Sequence, residues 1–342
     1  MKTIKYNHKL EYFTSRIFEN YFGGMRLAVF DIETLGLNPS SNEVVLAGIM
    51  TIEPDGNAVQ TQYFTEDLAE EALLLEILRE ELNKFDIILT YNGRHFDVPF
   101  ITKRGQTLCS PDYRITPYNL DLYLIINGHA DFKQYLPNLR QCSVEEYMGV
   151  ALSRDDEISG KESIQLYYDY LECEDYDEKQ ALETKILLHN HDDLVQLYRI
   201  LPVIQQTNMH SAMYALGFPV KGADDWPDLF VRTIRVGTRE LTISGEYTGN
   251  AVSYTLFSTE EQPYECSFSP DMTFRFTVAS ENIKGTRFIN AAAVLDDTSC
   301  LENLSGFVNG YLILEEKNKR NFQEINMITG KLLEKFMKNN KL

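Results

Sequence analysis

The chain has 342 residues, 44% of them hydrophobic, and a formal net charge of −19 at pH 7. That length favours two domains over one, and the apolar content excludes intrinsic disorder and supports a sizeable core. The acidity excludes a surface coated in positive potential, which counts against a large non-specific nucleic-acid footprint, but it leaves room for a local site whose carboxylates are offset by bound cations.

Residues 1–23 read as a short helix or arm before Gly23-Gly24, with Leu10, Phe13, Ile17, Phe18 and Tyr21 at roughly helical spacing. Residues 25–33 form an apolar run ending in acid, the pattern of a buried strand. Val44–Ile52 is a second run, and Ala58–Phe64 a third, after the turn signal Pro54-Asp55-Gly56-Asn57. Residues 66–84 have helical composition, Phe85–Tyr91 is another buried strand, and Phe96–Arg104 suits a helix with Pro99 in its first turn. Tyr118–Ile125 reads as a further strand. Helical patterns follow: Ser143-Val144-Glu145-Glu146 as a capping box, Ile164–Leu171, and a long helix over residues 178–203.

Three consecutive strands, a helix, then strands mixed with helices predict an α/β layer fold with a mixed sheet, assigned to residues 1–213. Beyond Gly217-Phe218-Pro219 the period changes to two: Thr233–Ser244, Ala251–Phe257, Thr273–Val278, Arg287–Val294 and Gly310–Leu314 alternate between turn residues. Residues 214–342 are therefore expected to form an antiparallel, β-rich α+β domain, closed by a basic amphipathic helix at about 322–340.

The charge is unevenly spread. Residues 151–200 hold 13 Asp or Glu against 5 Lys or Arg, whereas residues 301–342 hold 5 acids against 7 bases. The basic tail, Lys317, Lys319, Arg320, Lys331, Lys335, Lys338 and Lys341, is either a solvated face or a phosphate-contacting surface. Cys109, Cys142, Cys173, Cys266 and Cys300 are scattered without zinc-type spacing, so reduced thiols in a cytoplasmic protein are expected. The N-terminus lacks an apolar signal-peptide core and no stretch approaches 18 apolar residues, so neither a signal peptide nor a membrane span is expected.

Three acidic motifs carry the chemistry. In Asp31-Ile32-Glu33, spacing of two on a strand puts both carboxylates on one face, where they repel one another unless protonated, paired or bound to metal. In Tyr91-Asn92-Gly93-Arg94-His95-Phe96-Asp97, Asp97 falls at a helix start, Asn92 suits either a phosphate or its own loop, and Phe96 suits either the core or a terminal base. In His189-Asn190-His191-Asp192-Asp193, the stripe Leu182, Ile186, His189, Asp193, Leu197 and Ile200 turns His189 and Asp193 inward on one helix face. Asp192 competes with Asp193 for a ligand role, and His191 points elsewhere.

Together these motifs resemble the DEDD exonucleases of the ribonuclease H-like superfamily over roughly residues 25–205. Phe30-Asp31-Ile32-Glu33-Thr34-Leu35-Gly36-Leu37 is similar to their Asp-x-Glu-Thr-x-Gly strand, and the second motif to the Tyr-Asn-x-x-x-Phe-Asp form of family B polymerase proofreading domains. The His-Asn-x-x-Asp third motif is most similar to that of the bacterial YprB-like predicted exonucleases. The resemblance implies a ribonuclease H-like mixed sheet flanked by helices and a 3′→5′ exonuclease acting on single-stranded nucleic acid or a 3′ end. It also implies two Mg2+ or Mn2+ ions held by Asp31, Glu33, Asp97 and Asp193. Asp31 would bridge both, Glu33 would help orient the attacking water, and the backbone around Thr34 and Leu35 would face the terminal nucleotide. Asn92 and Phe96 complete the candidate substrate residues. His189 departs from the pattern. It lies four residues before Asp193, where the tyrosine-type enzymes carry Tyr, whereas the histidine-type enzymes carry His five before. A non-catalytic nucleic-acid-binding module on the same fold is the alternative.

Overall fold

A computed structural model describes residues 1–151, 160–223, 225–260 and 262–341. Asp155, Asp156 and Glu157, three of the acids counted in 151–200, lie outside the described residues. The chain divides into two compact units, one of Met1–Glu19 and Gly23–Thr207, the other of Asn20–Phe22 and Asn208–Leu342.

The first unit opens with β1 (Lys2–Lys9) and the start of α1 (Arg16–Phe22), whose last residues, Asn20–Phe22, are counted with the second. The helix or arm expected over 1–23 is thus in its first part a strand. Its sequence alternates half-buried Lys2, Ile4, Tyr6 and His8 with exposed Thr3, Lys5, Asn7 and Lys9, a period of two that pairs along β4. Then come β2 (Leu27–Thr34), β3 (Val44–Ile52), β4 (Asn57–Phe64), α2 (Glu71–Leu82), β5 (Ile87–Thr90), α3 (Asp97–Leu108), β6 (Tyr118–Asp121), α4 (Leu122–His129), α5 (Gln141–Met148), α6 (Gly160–Glu172) and α7 (Tyr176–Ile200). They build a six-stranded sheet in the order β1-β4-β3-β2-β5-β6. The pairs β2–β5 and β5–β6 are parallel, and β1–β4, β3–β4 and β2–β3 antiparallel, so the sheet is mixed, as expected.

Two boundaries differ from expectation. The strand read over Tyr118–Ile125 stops at Asp121, whose carboxylate accepts from the Leu124 N–H at 3.3 Å and caps α4. The capping box at Ser143 does not form. Helix α5 begins earlier, at Gln141, and the Ser143 hydroxyl instead donates to Asn138 Oδ1 at 2.9 Å.

Two cores flank the sheet, and the alternation of β2 commits one set of its side chains to the first. Ala28, Phe30 and Ile32 pack with Leu74, Leu75, Leu78 and Leu82 of α2 and Phe100 and Ile101 of α3. Leu35, Val45, Leu46 and Phe64 pack with Tyr167 and Tyr170 of α6 and Ile186 and Leu187 of α7. Asp31 and Glu33 alternate with the first set and so turn toward α6 and α7. Helix α7 can sit close over β3 because residue 48 is glycine: a Cβ there would meet Leu194 Cδ1 at 2.2 Å and Asn190 Oδ1 at 2.4 Å. On the other side, the buried Glu71 accepts from Arg104 Nε at 2.7 Å, from Arg104 Nη2 and from the Val44 N–H at 2.9 Å, tying α2 to α3 and to the start of β3.

The second unit contains α8 (Met209–Leu216), β7 (Phe218–Val220), β8 (Leu229–Val236), β9 (Glu240–Tyr247), β10 (Tyr254–Leu256), β11 (Tyr264–Ser269), β12 (Thr273–Ala279), β13 (Glu281–Ile283), β14 (Thr286–Asn290), α9 (Ala291–Val294), β15 (Phe307–Val308), β16 (Tyr311–Glu316), β17 (Lys319–Arg320) and α10 (Phe322–Asn339). It is β-rich and antiparallel, with one sheet ordered β10-β11-β12-β9-β8-β7 and a smaller one ordered β13-β14-β16-β15, β17 pairing with β16. The single run read over Thr233–Ser244 is a hairpin turning at Gly237, and the run Arg287–Val294 ends in a helical turn capped by Asn290. Strand β11 was missed although its sequence alternates, with Tyr264, Cys266 and Phe268 buried and Glu265 and Ser267 exposed. Phe336 of α10 fills the core against Trp226, Phe268 and Phe276, with ring centroids 4.7, 5.6 and 5.0 Å away. Part of the basic tail is engaged within the unit: Lys335 pairs with Asp296 at 2.8 Å, Lys331 with Glu334 at 2.7 Å and Arg320 with Glu315 at 3.3 Å.

Removing one partner of a buried ion pair leaves the other uncompensated. Glu71→Ala is expected to cost about 3–5 kcal/mol in a urea titration; a loss under about 1 kcal/mol would show the pair to be dispensable. Gly48→Ala is expected to destabilise by about 1–3 kcal/mol through overpacking against α7, checked by the same titration.

Candidate active site

The acidic residues reach the site from one strand and two helices. Asp31 and Glu33 come from central strand β2, with a bulge following at Glu33/Thr34. Asp97 opens α3, and His189 and Asp193 lie one turn apart on α7. His189 Nε2 is 3.7 Å from both Glu33 Oε1 and Asp193 Oδ2. One ligand atom each from Glu33, His189 and Asp193 lies within 4.8 Å of the other two.

Electrostatics bind the remaining acids to this group. Burial raises the Asp31 carboxyl well above the usual range; Asp97, Asp193 and Glu33 push it further and His189 opposes them. Asp97 is 5% exposed, and burial, with the charges of Asp121 and Glu33, raises it to about 7 against hydrogen bonds from the Asp97 and Ile32 backbone. Ile32 can offer that bond because the β2–β5 pairing ends at Val29 and Leu89. The site therefore holds at least two carboxyls that resist ionisation, through burial and through the acids beside them. Its donors are carboxylate oxygens with one imidazole beside them, a set that suits a hard divalent cation such as Mg2+ or Mn2+.

Neutral donors brace the acids. Asn190 Nδ2 donates to Asp31 Oδ2 at 2.9 Å, and Ser163 Oγ donates to Glu33 Oε2 at 3.2 Å. Neither residue was singled out from sequence, although Asn190 lies inside the third motif. Asp121 was also missed. It is 2% exposed and accepts from the Asn92 N–H at 2.9 Å and the Arg94 N–H at 3.0 Å, fixing the loop that leads into Asp97. An acid closing an apolar strand and opening a helix was the available signal.

The other candidates have separate surroundings. Thr34 Oγ1 donates to the Gly36 carbonyl at 2.8 Å, and the Leu35 side chain belongs to the core under α6 and α7. Asn92 adopts a left-handed φ of 65° in the loop anchored by Asp121. Phe96 packs against the α2–α3 core, its ring centroid 5.4 Å from that of Phe100. Asp192, the rival of Asp193, is 3% exposed and accepts or shares a proton with His191 Nδ1 at 2.9 Å. The His191 ring in turn meets Tyr6 and His8, with centroids 4.9 and 5.1 Å away.

No curated protein matches the chain. Among solved structures, it is similar to a family B DNA polymerase from the hyperthermophilic archaeon Pyrobaculum calidifontis, at 19% identity and a TM-score of 0.40, over 56% of this chain and 26% of that one. The chain thus spans about a quarter of that polymerase's length. It is also similar to NrnC of Brucella melitensis, at 18% identity and a TM-score of 0.31, over 55% of this chain and 76% of that one. NrnC bound to pGG matches at 19% identity and a TM-score of 0.30, over 55% and 75% of the two chains. The family model of the RNase_H superfamily (RNase_H_2) matches residues 28–205, more than half of the chain and the span that carries β2 through α7 with every acid of the cluster, and the chain belongs to that superfamily.

Proposed function

We propose that the chain is a metal-dependent 3′→5′ exonuclease of the DEDD type, nearest in its motifs to the YprB-like enzymes, acting on single-stranded nucleic acid or a 3′ end. One observation carries the reading: Asp97, Asp193 and Glu33 all act on Asp31, Glu33 and Asp193 flank His189, and the repulsion among the acids calls for cations. Membership of the RNase_H superfamily and the order of the three motifs support it. Residues 1–213 are the hydrolytic domain in this reading, and residues 214–342 an accessory domain. Five free cysteines suit a reducing, cytoplasmic setting; among the described residues no helix is long and apolar enough to cross a membrane.

Asp31, Glu33, Asp97 and Asp193 would hold two Mg2+ or Mn2+ ions, which when bound would activate water and offset charge on the leaving oxygen. Asp31 would serve both ions, and Glu33, braced by Ser163, would orient the attacking water. His189, between Glu33 and Asp193, accepts the water proton at Nε2 as the new P–O bond forms and the bond to the 3′-oxygen breaks. The leaving oxygen takes its proton from solvent. The backbone at Thr34 and Leu35, with Asn92 and Phe96, receives the terminal nucleotide.

Release of mononucleotides from a 3′-labelled oligonucleotide tests the reading. Asp31→Asn and Asp193→Asn should each lower it more than about 100-fold, and His189→Ala by about 100-fold or more. A chain that binds strands but releases nothing in Mg2+ or Mn2+ at several pH values is the non-catalytic module. Cleavage that persists on a blocked 3′ end means an endonuclease.

The cluster also sets a pH dependence of stability. Asp97 ionises near pH 7 in the folded chain and near about 3.9 in the unfolded one. The metal-free fold therefore binds that proton more tightly. The stability this confers is complete below about pH 4 and is lost as pH rises through about 7. In EDTA, the Tm of the native chain should fall relative to Asp97→Asn by on the order of 5 °C between pH 5 and 8, and Mn2+ should reverse the fall. Parallel Tm curves for the two proteins would sink this account.

A further inference from the structure

Asp31 sits in a cross-strand row whose other members prepare it for a cation. Gln62 of β4 stands opposite Gly48 of β3, and Gly48 stands opposite Asp31 of β2. Asn190 of α7 occupies the space over the glycine, where a Cβ would come within 2.4 Å of its Oδ1. From there its amide spans the row: Nδ2 donates to Asp31 Oδ2 at 2.9 Å, and Oδ1 accepts from Gln62 Nε2 at 2.8 Å. Gln62 Nε2 also donates to the Leu187 carbonyl of α7 at 2.9 Å. Gln62 and Asn190 are both 0% exposed.

The polarity of this chain of amides is dictated at its far end. A main-chain carbonyl only accepts, so Leu187 obliges Gln62 to turn its NH2 toward α7. Asn190 must then offer its oxygen to Gln62 and its own NH2 to Asp31. The orientation persists although Gln62 Oε1 is buried with no hydrogen-bond partner among the described residues. Reversing Gln62 would set its oxygen against the Leu187 carbonyl and Asn190 Oδ1, and reversing Asn190 would set oxygen against Asp31 Oδ2 and withdraw its donor.

We propose that Gln62 and Asn190 are positioning residues for metal binding: by fixing Asp31 Oδ2 as an acceptor, they stop the carboxylate rotating and leave Oδ1 oriented for a divalent cation. Ligands held by outer hydrogen bonds bind metal more tightly because the ordering is done before the ion arrives. Asp31 is the ligand that needs it most, being the one on which Asp97, Asp193 and Glu33 all act. Gly48 has a part in the device, because any larger residue would take the space of Asn190. The inference rests on the metal-site reading above.

The test is Mn2+ binding to the metal-free full chain, measured by calorimetry without nucleic acid. Gln62→Met keeps the length and removes the donor; Asn190→Asp keeps the shape and puts an acceptor against Asp31. Both should bind Mn2+ about 10–100-fold more weakly. For Gln62→Met, nucleotide release at saturating Mn2+ should recover to within about threefold of the native rate, which a damaged fold would not allow. If Gln62→Met does not fold, Gln62→Asn, which keeps the amide and shortens its reach, carries the same expectation. Folded variants that bind Mn2+ within about twofold of the native chain would overturn the proposal, as would a native chain that binds no Mn2+. A native chain that binds Mn2+ yet releases no nucleotide would refute the nuclease reading and leave the relay to be judged on the binding constants.

Discussion

The acid cluster on and beside β2 sets the terms for the rest of the first unit. Burial and the neighbouring acids drive the carboxyls of Asp31 and Asp97 toward their neutral forms, and only His189 among the named groups opposes this at Asp31. Such a group is stable only where the surroundings supply donors. The fold supplies them from the Ile32 backbone, from Ser163 on α6 and from Asn190 on α7. The apolar cores on both faces of the sheet keep β2 from relaxing away from the repulsion.

How near α7 comes to the sheet then decides what the site can do. Side chains on β3 would normally hold a packed helix off, and Gly48 removes that spacer where Asp31 is its strand partner. The same close approach brings His189 and Asp193 beside Glu33. One helix thus contributes the histidine, an acid and the amide that braces the central carboxylate, so a displacement of α7 would disturb all three together. The Glu71–Arg104 pair does comparable work on the opposite side, setting α3, and with it Asp97, against β3.

Much of the sheet was legible because buried strands and their turns leave local traces. Val44–Ile52 is β3 to the residue, and the long helix and the two-residue period beyond Gly217 are both present. What was missed is physically of one kind. The N-terminal strand has its partner 55 or so residues further along, so its weak alternation means little until β4 is beside it. Asp121 looks like a strand residue until its carboxylate meets the N–H groups of Asn92 and Arg94. Ser143 has the spacing of a cap, but the helix starts before it. Among the site residues, the spacing of two in Asp31-Ile32-Glu33 and of four between His189 and Asp193 placed each pair on one face, which is a local property.

The sequence by itself therefore determined most of the central elements, the order of the three acidic motifs and the shared face of Asp31 with Glu33 and of His189 with Asp193, because periodicity acts over a few residues. It could not determine which face of one pair meets which face of another, nor what holds them. Gln62 and Gly48 are an unremarkable strand glutamine and glycine in the chain. They matter only because two antiparallel pairings set them in line with Asp31 and a helix more than 120 residues away in sequence closes over them. Tertiary structure decided that, through register and close packing, which no local pattern encodes.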